Sequence, residues 1–433
     1  MLLPILLISC LISTNTGLIN DVINQIPELD PLELIPEIPR LSPKVPEDAK
    51  LTTMQLISKY GYKGELHKVI TSDGYILELH RITGPIKCTD SNKPVAFVVP
   101  GILCDSSCYT ITGNRSLAFI LADAGYDVWI ANPRGTTYSR KHINKSISKK
   151  KYWNFSWHEI GTLDLPANID YIVKTTGRKK MFYIGHSQGT TTFFVMSTQR
   201  PEYQKYILEM YAMAPIAYCG RMKSPLLQLL AQITDVGEIA NHFGVYEFNL
   251  KSKLSNQIAQ SVCASKVITQ PICKNTLFLF AGFSPEQFDS ERLPAILGHY
   301  PTSASVKQLL HYGQLVKSGM MISAGRFQQY DYELDNLEKY HSLVPPKYDL
   351  PKITAPVHLY YSANDWLANT KDVDKLSREL GNLASKILIA DKKFNHLDFL
   401  WGKNVKKNCY DLILNQMNKT RHRNVGNSSS EFL

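Results

Sequence analysis

KKMFYIGHSQGTTTFFVMSTQ, residues 179–199, opens on an apolar run of strand length. It turns at Gly185-His186-Ser187-Gln188-Gly189 and continues in a helix-length run. The five turn residues match G-x-S-x-G, and the strand before and helix after are the context that a nucleophile elbow requires. Two glycines let the chain turn tightly without Cβ clashes. The turn then presents the Ser187 hydroxyl above the sheet edge, with a helix N-terminus behind it to favour developing negative charge.

Working outward, apolar strands and helices alternate on both sides. VAFVVPG (95–101) and YDVWIANPRG (126–135) read as buried strands, separated by the helix SLAFILADAG (116–125). LPANIDYIVKTTG (165–177) reads as a helix ending at Gly177, and ILEMYAMAPIA (207–217) as a strand. Continuous apolar strands between helices predict a mostly parallel, doubly wound sheet covered on both faces. Upstream, HKVITSDGYILELHRI (67–82) carries a hairpin signal at Asp73-Gly74. Structure is expected to begin near Leu51 with a short amphipathic helix.

The alternation stops after residue 217. Residues 218–344 read as a helical cap with no clear buried strand, after which the core resumes over 345–418. PVHLYYSAND (356–365) and SKILIADKKF (385–394) are its strands, DVDKLSREL (372–380) a helix between them, and a last helix falls near 404–417. Residues 419–433 read as a polar, disordered tail.

Residues 2–12, LLPILLISCLI, form an apolar run too short to span a bilayer, followed by small polar residues. Residues 1–17 therefore read as a secretory signal peptide, with a retained anchor as the lesser alternative. Residues 18–50 hold six prolines, Pro27, Pro31, Pro36, Pro39, Pro43 and Pro46, which exclude a long helix or central strand and give an extended lead segment. Cleavage would remove Cys10 and leave seven of the eight cysteines, so at least one thiol has no intrachain partner. Cys263 and Cys273 lie close enough to close a short loop in an oxidising compartment. Sequons at Asn114, Asn144, Asn154, Asn418 and Asn427 are glycosylation candidates consistent with that compartment.

The 433 residues hold 44% hydrophobic and 20% charged residues, which excludes collagen, coiled coil and wholesale disorder. A net charge of +10 is moderate for this length and does not by itself argue for nucleic acid. Part of it is local: SRKHINKSISKKK (139–151) has six Lys and Arg and no acid. It reads as a solvated loop, or as one that docks on an anionic lipid surface. The apolar runs SPLLQLLAQI (224–233) and NTLFLFAGF (275–283) read as cap packing or as a lid.

A serine hydroxyl needs a base. In an α/β-hydrolase the order along the chain is Ser, then Asp or Glu, then His. Seven histidines follow Ser187: His242, His299, His311, His341, His358, His396 and His422. His358 falls in a buried strand, four others in the cap and His422 in the tail. His396 follows a strand at the sheet's C-terminal edge, where the base belongs. Asp365 ends the preceding strand at the same edge and is placed to fix the His396 tautomer. Asp398 is a local rival, too near His396 in sequence to reach that face easily. Two N–H groups must hold the oxyanion. Gln188, just after the nucleophile, is one candidate, and Ile102, in the turn after the strand ending at Gly101, is the other. Nothing in the sequence calls for a metal or an organic cofactor.

GHSQGTT, SLAFILADAGYDVWIANPRG, DLPANIDYIVKTTG, DWLAN and FNHLDFLW together resemble the acid lipases, the gastric, lingual and lysosomal lipases and their invertebrate relatives. The resemblance runs from about residue 47 to about 418. It implies an α/β-hydrolase core with a cap and lid, acting on triacylglycerol or cholesteryl esters at a lipid–water interface. It implies Ser187, Asp365 and His396 as a triad, Ile102 and Gln188 as oxyanion donors, and a Cys263–Cys273 disulfide. The chain departs from the family at Pro100-Gly101, where His-Gly is usual; proline removes an N–H and stiffens the approach to Ile102. Cys104 and Cys108 in the same loop are also unusual. A bridge between them, a bridge from Cys88 to one of them, and free thiols all remain open. The expectation is a secreted or lysosomal lipase. A carboxylesterase for other lipid esters is the runner-up within enzymes, and an inactive lipid-binding or storage protein the alternative outside them.

Overall fold

The computed structural model describes residues 46–86, 93–224, 228, 244–249, 281–321 and 325–427. The signal segment, most of the lead, Cys88, the Cys263–Cys273 pair and most of both apolar cap runs lie outside these residues.

Strands β1 (Tyr62–Ile70) and β2 (Tyr75–Pro85) form the expected hairpin across Asp73-Gly74. They are followed by β3 (Val95–Val99), β4 (Asp127–Ala131), the two-residue β5 (Lys141–His142), β6 (Met181–His186) and β7 (Ile207–Met213). The cap contributes β8 (Glu247–Phe248) and β9 (Ala304–Ser305), and the core resumes with β10 (Val357–Tyr361) and β11 (Leu383–Leu388). The main sheet runs β1-β2-β4-β3-β6-β7-β10-β11, with β5 paired to β2. From β4 to β11 all neighbours are parallel, and the hairpin adds an antiparallel end.

The apolar runs explain this order. Every residue of β3, β4, β6 and β10 is buried, as expected of strands covered on both faces. In β11 the last residues alternate between half-buried and exposed, the pattern of an edge strand. Helices α1 (Thr53–Lys59), α2 (Leu117–Asp123), α3 (Leu165–Thr176) and α4 (Gln188–Gln199) pack against the sheet. A capping box between Thr52 and Gln55 starts α1. Helix α4 is buried along almost its whole length, since the sheet takes one side and the cap another.

Two boundaries and the make-up of the cap differ from expectation. The lead segment does not extend to residue 50: Glu47–Ala49 form a single packed turn. The buried Asp48 carboxylate gathers Lys59 Nζ at 2.6 Å, Tyr60 OH at 2.6 Å and Arg292 at 2.8 Å, which ties the lead to both core and cap. The cap is not purely helical, because β8 pairs antiparallel with β9. Its described helices include α5 (Leu293–His299) and α6 (Val306–Met321). The last helices are α7 (Thr370–Glu379), the one-turn α8 (Asp398–Trp401) and α9 (Asp411–Asn427). Helix α9 therefore runs well into the stretch expected to be a disordered tail. It is held there by the buried Thr420 hydroxyl, which donates to Glu209 at 2.8 Å.

Behind the β4 turn, Arg134 is fully buried. Its guanidinium binds Asp164 at 2.7 Å and Asp73 at 2.6 Å, linking the hairpin turn to the segment that leads into α3. Among the described residues no helix is long and apolar enough to cross a membrane.

Candidate active site

Ser187 sits between β6 and α4 at φ 51 and ψ −119, a left-handed conformation that a serine adopts only when its surroundings impose it. The surroundings are the two glycines. A Cβ on Gly189 would lie 2.2 Å from the Val99 carbonyl oxygen, and one on Gly185 would lie 2.8 Å from the Gly189 backbone. No side chain fits at either point, so the sequence pattern and the strained serine are one feature. Gln188 is the first residue of α4, and its N–H has no partner within the helix.

The strand beside the elbow brings the second loop. Gly101 packs so closely that a Cβ there would meet the Ser187 Cβ at 3.0 Å. Ile102 follows, in a turn closed by Cys104 N–H donating to the Gly101 carbonyl at 3.3 Å. Pro100 comes one residue after the last paired position of β3, where a missing N–H is tolerated. Cys104 and Cys108 are joined by a disulfide, which decides among the alternatives for this loop. Cys219 and Cys409 are buried free thiols.

On the opposite side, His396 Nδ1 lies 2.8 Å from Asp365 Oδ2, both residues being buried. The other Asp365 oxygen accepts the Leu367 and Ala368 N–H groups at 2.8 Å each, which fixes the carboxylate plane. A carboxylate on Nδ1 sets the proton there and leaves the Nε2 lone pair for a substrate-side group. Asp398 does not compete. Its carboxylate accepts the Asn395 N–H at 2.7 Å, and burial pushes it up to about 7.

The two sides meet at His186. Its ring lies 4.9 Å from that of His396, and Nε2 donates to the His396 carbonyl at 3.0 Å. Burial, and then the neighbouring His396, push His186 well below the usual histidine range, so it stays neutral. The nucleophile's neighbour thus touches the base's own backbone. The cap closes the arrangement: Gln188 donates to Gln308 of α6 at 2.7 Å, and Tyr312 of α6 meets Thr191 of α4 at 3.1 Å.

Neither His186, Asn395 nor Gln308 stood out in the sequence. His186 was legible only as the variable position of the motif, and the other two act through contacts made across the fold. Three of the other candidate histidines are occupied elsewhere. His358 stacks on Tyr211 and contacts Ser385 within the core. His311 stacks on Trp157 at 3.7 Å, and His299 meets the Asp48 carbonyl. His341 is exposed in the cap, and His242 lies outside the described residues. Of the sequons, Asn114, Asn144 and Asn154 are exposed, whereas Asn418 is half-buried in α9 with its amide oxygen accepting the Tyr126 hydroxyl at 3.0 Å. Among the described residues no cluster is arranged to hold a metal ion.

Two family models match: a partial α/β-hydrolase lipase region over residues 53–113 and the α/β-hydrolase fold over 103–257. Lipase 3 of Drosophila melanogaster is 44% identical over 361 residues, 82% of this chain and 90% of the relative. Mouse gastric triacylglycerol lipase is 37% identical, covering 87% of this chain and 94% of the relative. Human lysosomal acid lipase/cholesteryl ester hydrolase is 36% identical, with 87% and 92% covered. A candidate lipase from Sulfolobus solfataricus shares the fold at a TM-score of 0.54 and 14% identity, over 83% of this chain and 95% of the other. With the α/β-hydrolase sheet in place and relatives of this identity matched over most of their length, the chain belongs to the acid lipase family.

Proposed function

We propose that this protein is a serine ester hydrolase acting on neutral lipid esters, triacylglycerol or cholesteryl esters, at a lipid–water interface. Ser187 is the nucleophile, His396 the general base and Asp365 the residue that orients it. The observation that carries this reading is the 2.8 Å Asp365–His396 pair, linked to the elbow by the 3.0 Å contact from His186 to the His396 backbone.

The chemistry runs in two steps. His396 Nε2 takes the Ser187 proton as Oγ attacks the ester carbonyl, and the Ile102 and Gln188 N–H groups hold the oxyanion. The proton passes to the leaving alcohol, and an acyl-enzyme remains. Water, activated by the same imidazole, then releases the fatty acid and regenerates Ser187. The names of the gastric and lysosomal relatives support both lipid classes and a secreted or lysosomal location. Exposure at Asn114, Asn144 and Asn154 suits glycosylation there, and the Asn418 contact with Tyr126 does not favour it.

The test is hydrolysis of triolein and cholesteryl oleate by the full-length protein and by Ser187→Ala. Loss of both activities in a folded variant is expected. Full activity in the variant would remove Ser187 from the mechanism. No hydrolysis by the wild type, with the lipid still bound, would favour a lipid carrier instead.

A further inference from the structure

We propose that the Cys104–Cys108 disulfide is a positioning element for the Ile102 oxyanion donor. It straps the oxyanion turn to the helix that follows His396. The inference rests on the assignment of Ile102 made above.

The turn needs holding. Leu103, directly after Ile102, has φ 63, a left-handed conformation unfavourable for a leucine. A chain relaxing at Leu103 would swing the Ile102 N–H away from the space above Ser187. Two restraints converge on this point. The cap supplies one, as Thr302 N–H donates to the Leu103 carbonyl at 2.8 Å. The disulfide supplies the other, since Cys104 is the next residue and its sulfur is fixed to Cys108.

Cys108 is itself anchored. Its carbonyl accepts the Trp401 indole N–H at 3.2 Å, and Trp401 ends the one-turn helix that begins two residues after His396. The Tyr109 hydroxyl donates back to the Val99 carbonyl at 3.1 Å, at the end of the strand that leads into the oxyanion turn. Within the loop, the Asp105 carboxylate accepts the Ser107 N–H at 3.0 Å. Both cysteines are buried, each 3% exposed, so the bridge lies inside this network. A path of one disulfide and one hydrogen bond therefore runs from the oxyanion turn to the helix after the base, in a chain whose compartment favours disulfides.

An oxyanion donor acts on charge that appears only in the transition state. Its displacement is read in kcat and not in KM. Were the bridge to serve stability alone, its removal would lower the unfolding temperature and leave kcat unchanged below it.

The experiment uses the full-length protein with both cysteines changed, Cys104→Ser with Cys108→Ser, on a soluble short-chain ester. Expected is a fall in kcat of about 10- to 100-fold with KM within about twofold. A trifluoromethyl ketone, whose adduct places an oxyanion in the same hole, should weaken by a similar factor. Wild-type kcat and ketone affinity in the double variant would overturn the proposal. Ser187→Ala runs alongside: if it stays active, the serine mechanism that gives Ile102 its role fails, independently of the disulfide result. Should the double variant not fold, Trp401→Phe decides. It keeps the ring and removes the N–H to Cys108, and is expected to lower kcat about threefold to tenfold at unchanged KM. Wild-type kcat in Trp401→Phe would then overturn the strap.

Discussion

The nucleophile and the base are held in opposite ways. Ser187 owes its backbone conformation to its immediate neighbours, one strand, one helix and two glycines, with Val99 and Gly101 of the adjoining strand and turn packed against them. His396 is held by distant segments. Its N–H donates to the Ala281 carbonyl at 3.4 Å, and the neighbouring Asn395 side chain donates to Gly282 at 2.7 Å. Asn364, next to the orienting acid, reaches the carbonyl of Phe283. The short cap segment 281–284 therefore stitches together the loops of both acid and base. The nucleophile is a local structure, and the base a tertiary one.

The largest break in this arrangement is Asp365→Asn. It keeps shape and packing but can no longer fix the His396 tautomer, and kcat should fall about 10⁴-fold with little change in the unfolding midpoint. Steady-state kinetics on a soluble ester checks this. A loss under tenfold would mean that His396 is oriented mainly by the cap.

Asn395→Ala sharpens the comparison from the tertiary side. The Asn395 side chain accepts the Leu397 N–H at 2.9 Å and the Asp398 N–H at 3.0 Å, besides its bond to Gly282. Leaving these buried groups unpaired costs about 1–3 kcal/mol. We expect kcat to fall about tenfold to a hundredfold, through displacement of the base. The rate of Ser187 labelling by a small phosphonate should fall in parallel, because attack needs the base. Unchanged kcat would detach the cap segment from catalysis.

Asp398→Asn concerns stability and its pH dependence, and leaves the order of the rate effects untouched. The buried carboxyl titrates near 7, raised by burial and then by neighbouring Asp391 and Asp365, while an unfolded aspartate titrates near 4. Between those values the native state keeps the proton and the unfolded chain releases it. This contribution is therefore complete below about pH 4 and lost as pH rises through about 7. Urea unfolding at pH 5 and 8 should show the variant gaining stability relative to wild type by on the order of a few kcal/mol. An equal difference at both pH values would place Asp398 outside the titration.

The same division explains what was legible beforehand. G-x-S-x-G between strand and helix carries its conformation in five residues, and the buried strands announced themselves as uninterrupted apolar runs. Asp365 and His396 were found by chain order and strand ends, which say where a loop falls and not what holds it. The contacts of Ala281, Asn395, Gln308 and Trp401 join residues far apart in sequence, and no local pattern encodes them. Asp48 looked like linker because a run of prolines leads up to it, yet three partners gather on its buried carboxylate. The tail looked polar, but its Thr420 is buried against the core and the helix runs on through it.

The central claim is that Ser187 forms a covalent acyl-enzyme with help from His396. The most direct measurement is fluorophosphonate labelling of the full-length protein, with the adduct located by peptide mass mapping. The account predicts a single adduct on Ser187, stoichiometric with loss of esterase activity and slowed at least a thousandfold in His396→Ala. Inactivation with the adduct on another residue, or labelling of Ser187 at wild-type rate without His396, would contradict it.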